Sequence, residues 1–542
     1  MKKLCPELFL SMKSYTKEQF FKDIISGIIV AIIALPLSIA LALASGVGPE
    51  QGLYTAIVAG FVISFLGGSK VQIAGPTAAF ATIVAGIVAA NGMGGLALAT
   101  VMAGIILILM GVFRLGSLIK FIPYTITTGF TAGIAVTIAI GQIKDFMGLT
   151  FTHSPVETME KAAEVIKCIG TFNIEAFLVG MLSLAILIIV PKFLKKIPPS
   201  LIAIIVSSLV VGIFKLNVNT IGDLYQISSA LPKFTLPDFS PDTILKLLPD
   251  AFTIAILAGV ESLLSCVVAD GMIGSRHNSN MELIAQGAGN MASAFFGGIP
   301  ATGAIARTAA NIKNGGKTPV SGMVHAVLLL IILVVLMPYA SLIPMPTIAA
   351  ILFVVAYNMS EWRECVSIVK TSPKSDITVL AVTFVLTVVF DLVVAICVGF
   401  VLATVLFMKR MADVTEVRQW DEYDENDKDN IRFKKIPENT LVYEITGPMF
   451  FGAAEKIREV IRGAKNCTLI LRMRSVTAID ATGIHILEGV LKACEDKNIK
   501  LIMSHVNSQP MATFEKSNLL SEIGEENFCP NIDEALKRAE EI

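Results

Sequence analysis

Glu261 and Arg307 are charged residues set in otherwise apolar stretches, and both are of types that carry or grip charge. Glu261 falls in Ile254-Ala255-Ile256-Leu257-Ala258-Gly259-Val260-Glu261-Ser262-Leu263-Leu264. A carboxylate at mid-bilayer costs about 2.5–3.5 kcal/mol on insertion scales, so it requires a cavity, a partner or a proton. Desolvation disfavours the charged form, which suits Glu261 to bind and release a proton. A sodium ion shared with Ser265, one helical turn on, is an alternative, and a salt bridge to Arg307 is the purely structural one. Arg307 closes Ala304-Ile305-Ala306-Arg307-Thr308. Its planar fork can hold a carboxylate, sulfate or bicarbonate through two parallel hydrogen bonds. Its simpler roles are to neutralise Glu261 or to reach the membrane surface.

The elements that must position these side chains show in a repeat. Sliding the sequence on itself by about 230 residues aligns 52–68 with 282–298. Phe65-Leu66-Gly67-Gly68 is followed by Val71-Gln72-Ile73-Ala74-Gly75-Pro76-Thr77-Ala78-Ala79, and Phe295-Phe296-Gly297-Gly298 by Ile299-Pro300-Ala301-Thr302-Gly303-Ala304-Ile305-Ala306-Arg307. Each reads as a short extended piece leading into a truncated helix. Extended backbone inside a bilayer is tolerated only where protein or a water-filled cavity satisfies its N–H and C=O groups. The two segments are therefore expected to meet inside the protein, with half-helices starting near Thr77 and Ala304 whose N-termini favour an anion.

Composition places all of this in a membrane. The chain has 542 residues, 54% hydrophobic and 16% charged, with a mean hydropathy of +0.72, far from the range of soluble domains. About fourteen spans fit between 24 and 410, near 24–45, 50–66, 76–90, 95–113, 123–142, 173–191, 198–214, 248–269, 280–296, 303–313, 318–337, 342–357, 375–390 and 392–408. Seven spans used twice, about 24–216 and 245–410, lie in opposite orientations, the inverted-repeat plan of many secondary transporters. Basic residues gather in every second connection, among them Lys70, Arg114, Arg276, Lys313, Lys317, Lys409 and Arg410. The positive-inside rule then puts both termini in the cytoplasm, with 1–23 as a cytoplasmic segment and the first apolar span retained. Pro36 interrupts the first span, either as a plain kink or to line the same cavity. His325 and Asp391 read as packing or connection residues.

The remaining signals exclude more than they assign. A net charge of -1 gives no basic balance for nucleic acid, and the eight cysteines form no CxxC pair, so neither a metal site nor a disulfide framework is expected. Asn314-Gly315-Gly316-Lys317-Thr318 looks like half a phosphate-binding loop, but Asn311 stands where its first Gly belongs. No catalytic signature on a soluble scaffold appears, so neither an enzyme nor a cofactor is expected. After a charged linker at 411–431, strands are predicted at 440–446, 467–473 and 499–505, with helices at 453–462, 481–496, 510–516 and 532–541, giving a small α/β domain at 432–542. Thr482 falls at a helix N-terminus there. It reads as part of an ordinary cap, with phosphorylation as the functional alternative.

These residues together resemble the SulP anion transporters, bacterial relatives of the SLC26 proteins, over nearly the entire chain. The resemblance is carried by Asp23-Ile24-Ile25-Ser26-Gly27, Leu35-Pro36-Leu37-Ser38, Ala74-Gly75-Pro76-Thr77, Pro300 to Thr308 and Gly315-Gly316-Lys317-Thr318-Pro319, with a STAS-like tail at Asp480-Ala481-Thr482-Gly483. It implies a polytopic α-helical membrane protein of fourteen segments in a seven-plus-seven inverted repeat, a core domain moving against a gate domain, and homodimers. It also implies a small anion held by Leu37, Leu41, Thr77, Ala78, Ala79, Ala304, Ile305, Ala306 and Arg307, with Glu261 at the acidic position of segment eight. Sodium-coupled bicarbonate members typically have Asp at the Glu261 position, Thr at Ser265 and no Arg at Arg307. This chain departs at all three, which favours proton-linked uptake of sulfate or a dicarboxylate across the inner membrane, with bicarbonate still open. An uncoupled channel or exchanger and a membrane-anchored sensor are the competing readings, and the STAS-like tail is the candidate site for a cytoplasmic regulator.

Overall fold

In a computed structural model the protein is described at residues 4–117, 123–153, 155, 157–193, 198–225, 229–390, 392–419, 436–450 and 466–542. Asp391, the helix expected at 453–462 and residues 420–431 of the linker lie outside the described residues. The chain divides into two units, Met1–Phe400 and Val401–Ile542.

The first unit is helical. Its helices are α1 (Lys17–Ala44), α2 (Pro49–Leu66), α3 (Ala81–Val112), α4 (Tyr124–Met147), α5 (Thr158–Lys167), α6 (Ile174–Phe193), α7 (Pro199–Phe214), α8 (Pro241–Ile273), α9 (Ser279–Phe295), α10 (Ile305–Lys313), α11 (Val320–Leu336), α12 (Met345–Met359), α13 (Trp362–Thr371), α14 (Lys374–Val389) and α15, which runs from Leu392 to Val414 across the division. Every expected span has its helix. The third and fourth run into each other at Gly92, whose φ of 66° and ψ of -175° make the break, a backbone state open to Gly and costly for other residues. Eight helices among the described residues are long and apolar enough to cross a membrane. The others are short or, like α9, turn polar residues such as Gln286 and Asn290 inward. Pro36 does not end α1. Two connections hold amphipathic helices, α5 and α13, that the apolar spans do not announce.

Close helix approach rests on small residues, as membrane packing requires. A Cβ on Gly287 of α9 would lie 2.4 Å from the Gly104 carbonyl of α3, and one on Gly27 of α1 would lie 2.6 Å from the Ser321 carbonyl of α11. Two groups of helices result. One joins α1–α3 with α8–α11, and the other packs α4 on α12 and α14, with α6 on α12 and α7.

The second unit is a five-stranded sheet in the order β3-β4-β5-β6-β7, formed by Glu416–Gln419, Thr440–Thr446, Thr468–Ser475, Lys500–Ser504 and Phe528–Cys529. β3 pairs antiparallel with β4, and the rest are parallel. Side chains alternate between faces. Leu469, Leu471 and Met503 pack under α16 (Ala481–Asp496), α17 (Ser508–Lys516) and α18 (Leu519–Ile523). Val442, Ile470 and Ile502 pack under α19 (Ile532–Glu541). One expectation is corrected. Within the linker expected at 411–431, α15 continues to Val414 and β3 follows at once, because a four-residue edge strand with charged side chains carries no apolar alternation to read. The cap of α16 is Asp480, whose carboxylate accepts from the Gly483 amide at 2.8 Å, while Thr482 is exposed in the first turn.

Candidate functional site

The two interrupted segments meet. β1 (Ala74–Gly75) pairs antiparallel with β2 (Thr302–Gly303), Ala74 opposite Gly303 and Gly75 opposite Thr302, and the Ala304 amide donates to the Ile73 carbonyl at 2.9 Å. Because the pair is antiparallel, the chain leaves it in opposite directions, and each half-helix begins just beyond with its N-terminus toward the pair. One starts as a single 3-10 turn, Ala78–Phe80, after Thr77 and continues into α3; the other is α10, after Ala304. Neither start has a side-chain cap, so the amides of both first turns are left for other acceptors.

Interior side chains satisfy the extended backbone, often across the repeat. The Gly68 amide donates to Glu282 of α9 at 2.9 Å, and the Ile299 amide to Thr55 of α2 at 2.7 Å. Asn290 brackets Ala301 through both its amide and carbonyl atoms, Thr308 accepts from the Ile73 amide, and Asn311 donates to the Val71 carbonyl. The non-helical backbone is thus tolerated inside the membrane unit because its polar groups have partners.

Glu261 and Arg307 converge on adjacent residues of the first extended segment. Thr77 donates its hydroxyl to Glu261 at 2.9 Å, and Arg307 donates from Nη2 to the Pro76 carbonyl at 2.8 Å. Arg307 is only 3% exposed, and its Nη1 is buried without a hydrogen-bond partner among the described residues. No ion pair between Glu261 and Arg307 is present among the described residues, so the salt-bridge alternative for Glu261 does not hold. Gly75 explains how the guanidinium fits: a Cβ there would stand 2.4 Å from Nη1. Of the other residues singled out, Ile305 is 43% exposed and Ala306 is also exposed, Thr77, Ala304, Leu37 and Glu261 are half-buried, and Leu41, Ala78 and Ala79 are buried. The start of α10 is thus exposed while the guanidinium two residues on is buried. Ser265 is fully buried and lies 3.4 Å from Thr308, on the helix that bears Glu261. His325 is buried with neither ring nitrogen bonded.

Sequence reading missed a second buried carboxylate. Glu282 is fully buried, and Gln72, Ser262, Gln286 and the Gly68 amide all donate to it. Four donors and no cation among the described residues make it an acceptor-only carboxylate satisfied by hydrogen bonds. Gln72 also donates to the Ser262 hydroxyl at 2.7 Å, next to Glu261. The available signal was an acidic residue inside a span, the one that flagged Glu261, but Glu282 sits in a first turn where acids are ordinary.

Two interrupted helices that meet inside a unit of apolar helices, beside a guanidinium and a carboxylate that form no ion pair with each other, are the architecture of a multi-pass membrane transporter. The chain belongs to the sulfate permease family: the Sulfate permease family model matches residues 20–383, and the STAS domain model residues 431–535. It is 42% identical over 527 residues to the putative sulfate transporter YvdB of Bacillus subtilis, covering 96% of this chain and 98% of that one. It is 31% identical over 538 residues to the bicarbonate transporter BicA of Picosynechococcus, with 95% and 94% covered. Among solved structures, murine Slc26a9 in the inward-facing state superposes with a TM-score of 0.88 at 19% identity, covering 99% of this chain and 94% of that one, which shows a shared fold. The transmembrane domain of a cyanobacterial BicA superposes at 0.64 with 30% identity, covering 70% and 98%.

Proposed function

We propose that the chain is a secondary transporter that couples uptake of a small oxyanion, sulfate or a dicarboxylate ahead of bicarbonate, to a proton. The observation that carries this reading is that Arg307 and Glu261 grip neighbouring residues, Pro76 and Thr77, without pairing with each other. Arg307 keeps one nitrogen for a ligand, and the uncapped first turns before α3 and in α10 supply amide donors beside it. Glu261 holds the Thr77 hydroxyl at the start of one of those turns. A negative charge on Glu261 repels an arriving anion, and a proton on it removes that repulsion, so each ligand favours the other. The helix group α1–α3 with α8–α11 carries the site, and its movement against α4, α6, α7, α12 and α14 is the alternating-access step. Both termini lie in the cytoplasm in this reading, the membrane is the inner membrane, and the transporter works as a homodimer with its STAS domain open to a cytoplasmic regulator.

The 31% identity to BicA supports bicarbonate as a second substrate. Sodium coupling is weakened by Ser265, whose hydroxyl is engaged with Thr308, and by the guanidinium nearby. Purified protein in liposomes, offered labelled sulfate, fumarate or bicarbonate under an inward proton gradient with sodium varied, tests the reading. Accumulation of at least one anion, stimulated by acid outside, is expected. No accumulation of any of them, or accumulation that follows sodium alone, contradicts it.

A further inference from the structure

At the end of α1 remote from the N-terminal segment, α1 and α3 face α4 and α12 across a cavity of about 360 Å³, within the range that admits a small ligand. Ala81 and Thr82, the first residues of α3, line it, so the cavity reaches within one turn of the half-helix start at Ala78–Phe80. It holds none of the residues of the site above. Its charged lining comes from Lys144 and Asp145 at the end of α4 and from Lys161 on α5, with Gln142 and Tyr225 beside them.

These charges are not balanced alike. Lys144 and Asp145 are chain neighbours of opposite sign, and the Lys144 ammonium rests 5.3 Å from the centroid of the Phe151 ring. Lys161 is half-buried, and burial holds its ammonium below the usual lysine range. None of the acids on its own helix or the approach to it serves Lys161. Glu157 and Glu160 are exposed, and Glu164 is taken by Thr152, His153 and Lys167. No acidic side chain among the described residues pairs with Lys161. A cation drawn out of water without a counter-ion is costly, and Lys161 lines a cavity that reaches the start of a half-helix.

We propose that Lys161, supported by Lys144 and Gln142, forms a second anion site, an antechamber that a small oxyanion occupies before it reaches Arg307. The proposal rests on the transport reading, and with the termini in the cytoplasm the antechamber faces outward. It selects charge more than shape, raising the local concentration of anions at the mouth of the path. Gln142 and the Tyr225 hydroxyl offer neutral hydrogen bonds, and Asp145 sets a limit on how tightly the anion is held, so that it moves on.

The test uses the full-length protein in right-side-out vesicles and the initial uptake of labelled sulfate, or of labelled fumarate should the wild type move only that. Lys161→Gln is expected to raise the half-saturation concentration for uptake about tenfold and leave the maximal rate nearly unchanged, the signature of lost binding without lost turnover. Lys161→Arg restores the wild-type value, efflux from the inner side keeps its half-saturation, and the difference between wild type and the Gln variant shrinks in high salt. Should Lys161→Gln fail to reach the membrane, Lys161→Met serves in its place. An unchanged half-saturation, or a fall in maximal rate alone, overturns the antechamber. A wild type that transports neither these probes nor labelled bicarbonate overturns the transport reading instead.

Discussion

Arg307 has one arm anchored on the Pro76 carbonyl and the other buried without a partner, an arrangement that a point charge cannot copy. Arg307→Lys is therefore expected to raise the half-saturation concentration for the anion about tenfold or more, with the protein still folded by size exclusion. Uptake kinetics check this, and an unchanged value removes Arg307 from the site. Glu261 and Arg307 were legible in the sequence because charge inside an apolar run has so few explanations. Gln72, Ser262 and Glu282 were not. They come together from positions up to 210 residues apart, and each alone looks like a polar residue near a span end. The helix start around Thr482 was legible too, and its capping carboxylate is that of Asp480, two residues earlier.

At the scale of elements, the crossing of β1 and β2 is held by fits that leave no room for a methyl group. Gly75→Ala places a Cβ 2.4 Å from the Arg307 guanidinium, so transport is expected to fail while the helices, which have other contacts, remain folded; circular dichroism beside uptake separates the two. Gly68→Ala meets backbone instead, with its Cβ 2.2 Å from the Asn278 carbonyl, and is expected to lower the melting temperature as well. In the second unit, burial pushes the Cys494 thiol up to about 12. The thiolate is the reactive form, so near pH 7.5 Cys494 is expected to resist maleimide until denaturant opens the domain. Labelling of the native protein at that residue contradicts the packing described. The two-residue strands have no propensity signal of their own. They were legible because Gly and Pro break two apolar runs at matching places in the repeat. β3 lacked any such mark, and α5 and α13 were hidden because amphipathic connections contribute nothing to a count of apolar spans.

For the whole molecule, the apolar segments followed from hydropathy and a repeat, because the bilayer leaves a chain few ways to satisfy its backbone, and the small α/β tail from alternating strand and helix signals, without the antiparallel edge strand β3. The assignment of β3 to the tail's sheet has a practical consequence. A chain cut after residue 431 keeps an edge strand whose partner is gone, and such edges pair with other chains. It is expected to aggregate more than a chain cut after Val414, as light scattering would show, and equal behaviour of the two contradicts the assignment. The central claim, that Glu261 carries the proton while Arg307 and the half-helix ends hold the anion, separates net accumulation from exchange. The most direct measurement compares wild type and Glu261→Gln in the same liposomes, once under an inward proton gradient and once in counterflow against unlabelled anion at equal pH. The account expects the variant to keep counterflow and lose proton-driven accumulation. A variant that accumulates the anion as the wild type does, or loses both modes together, contradicts it.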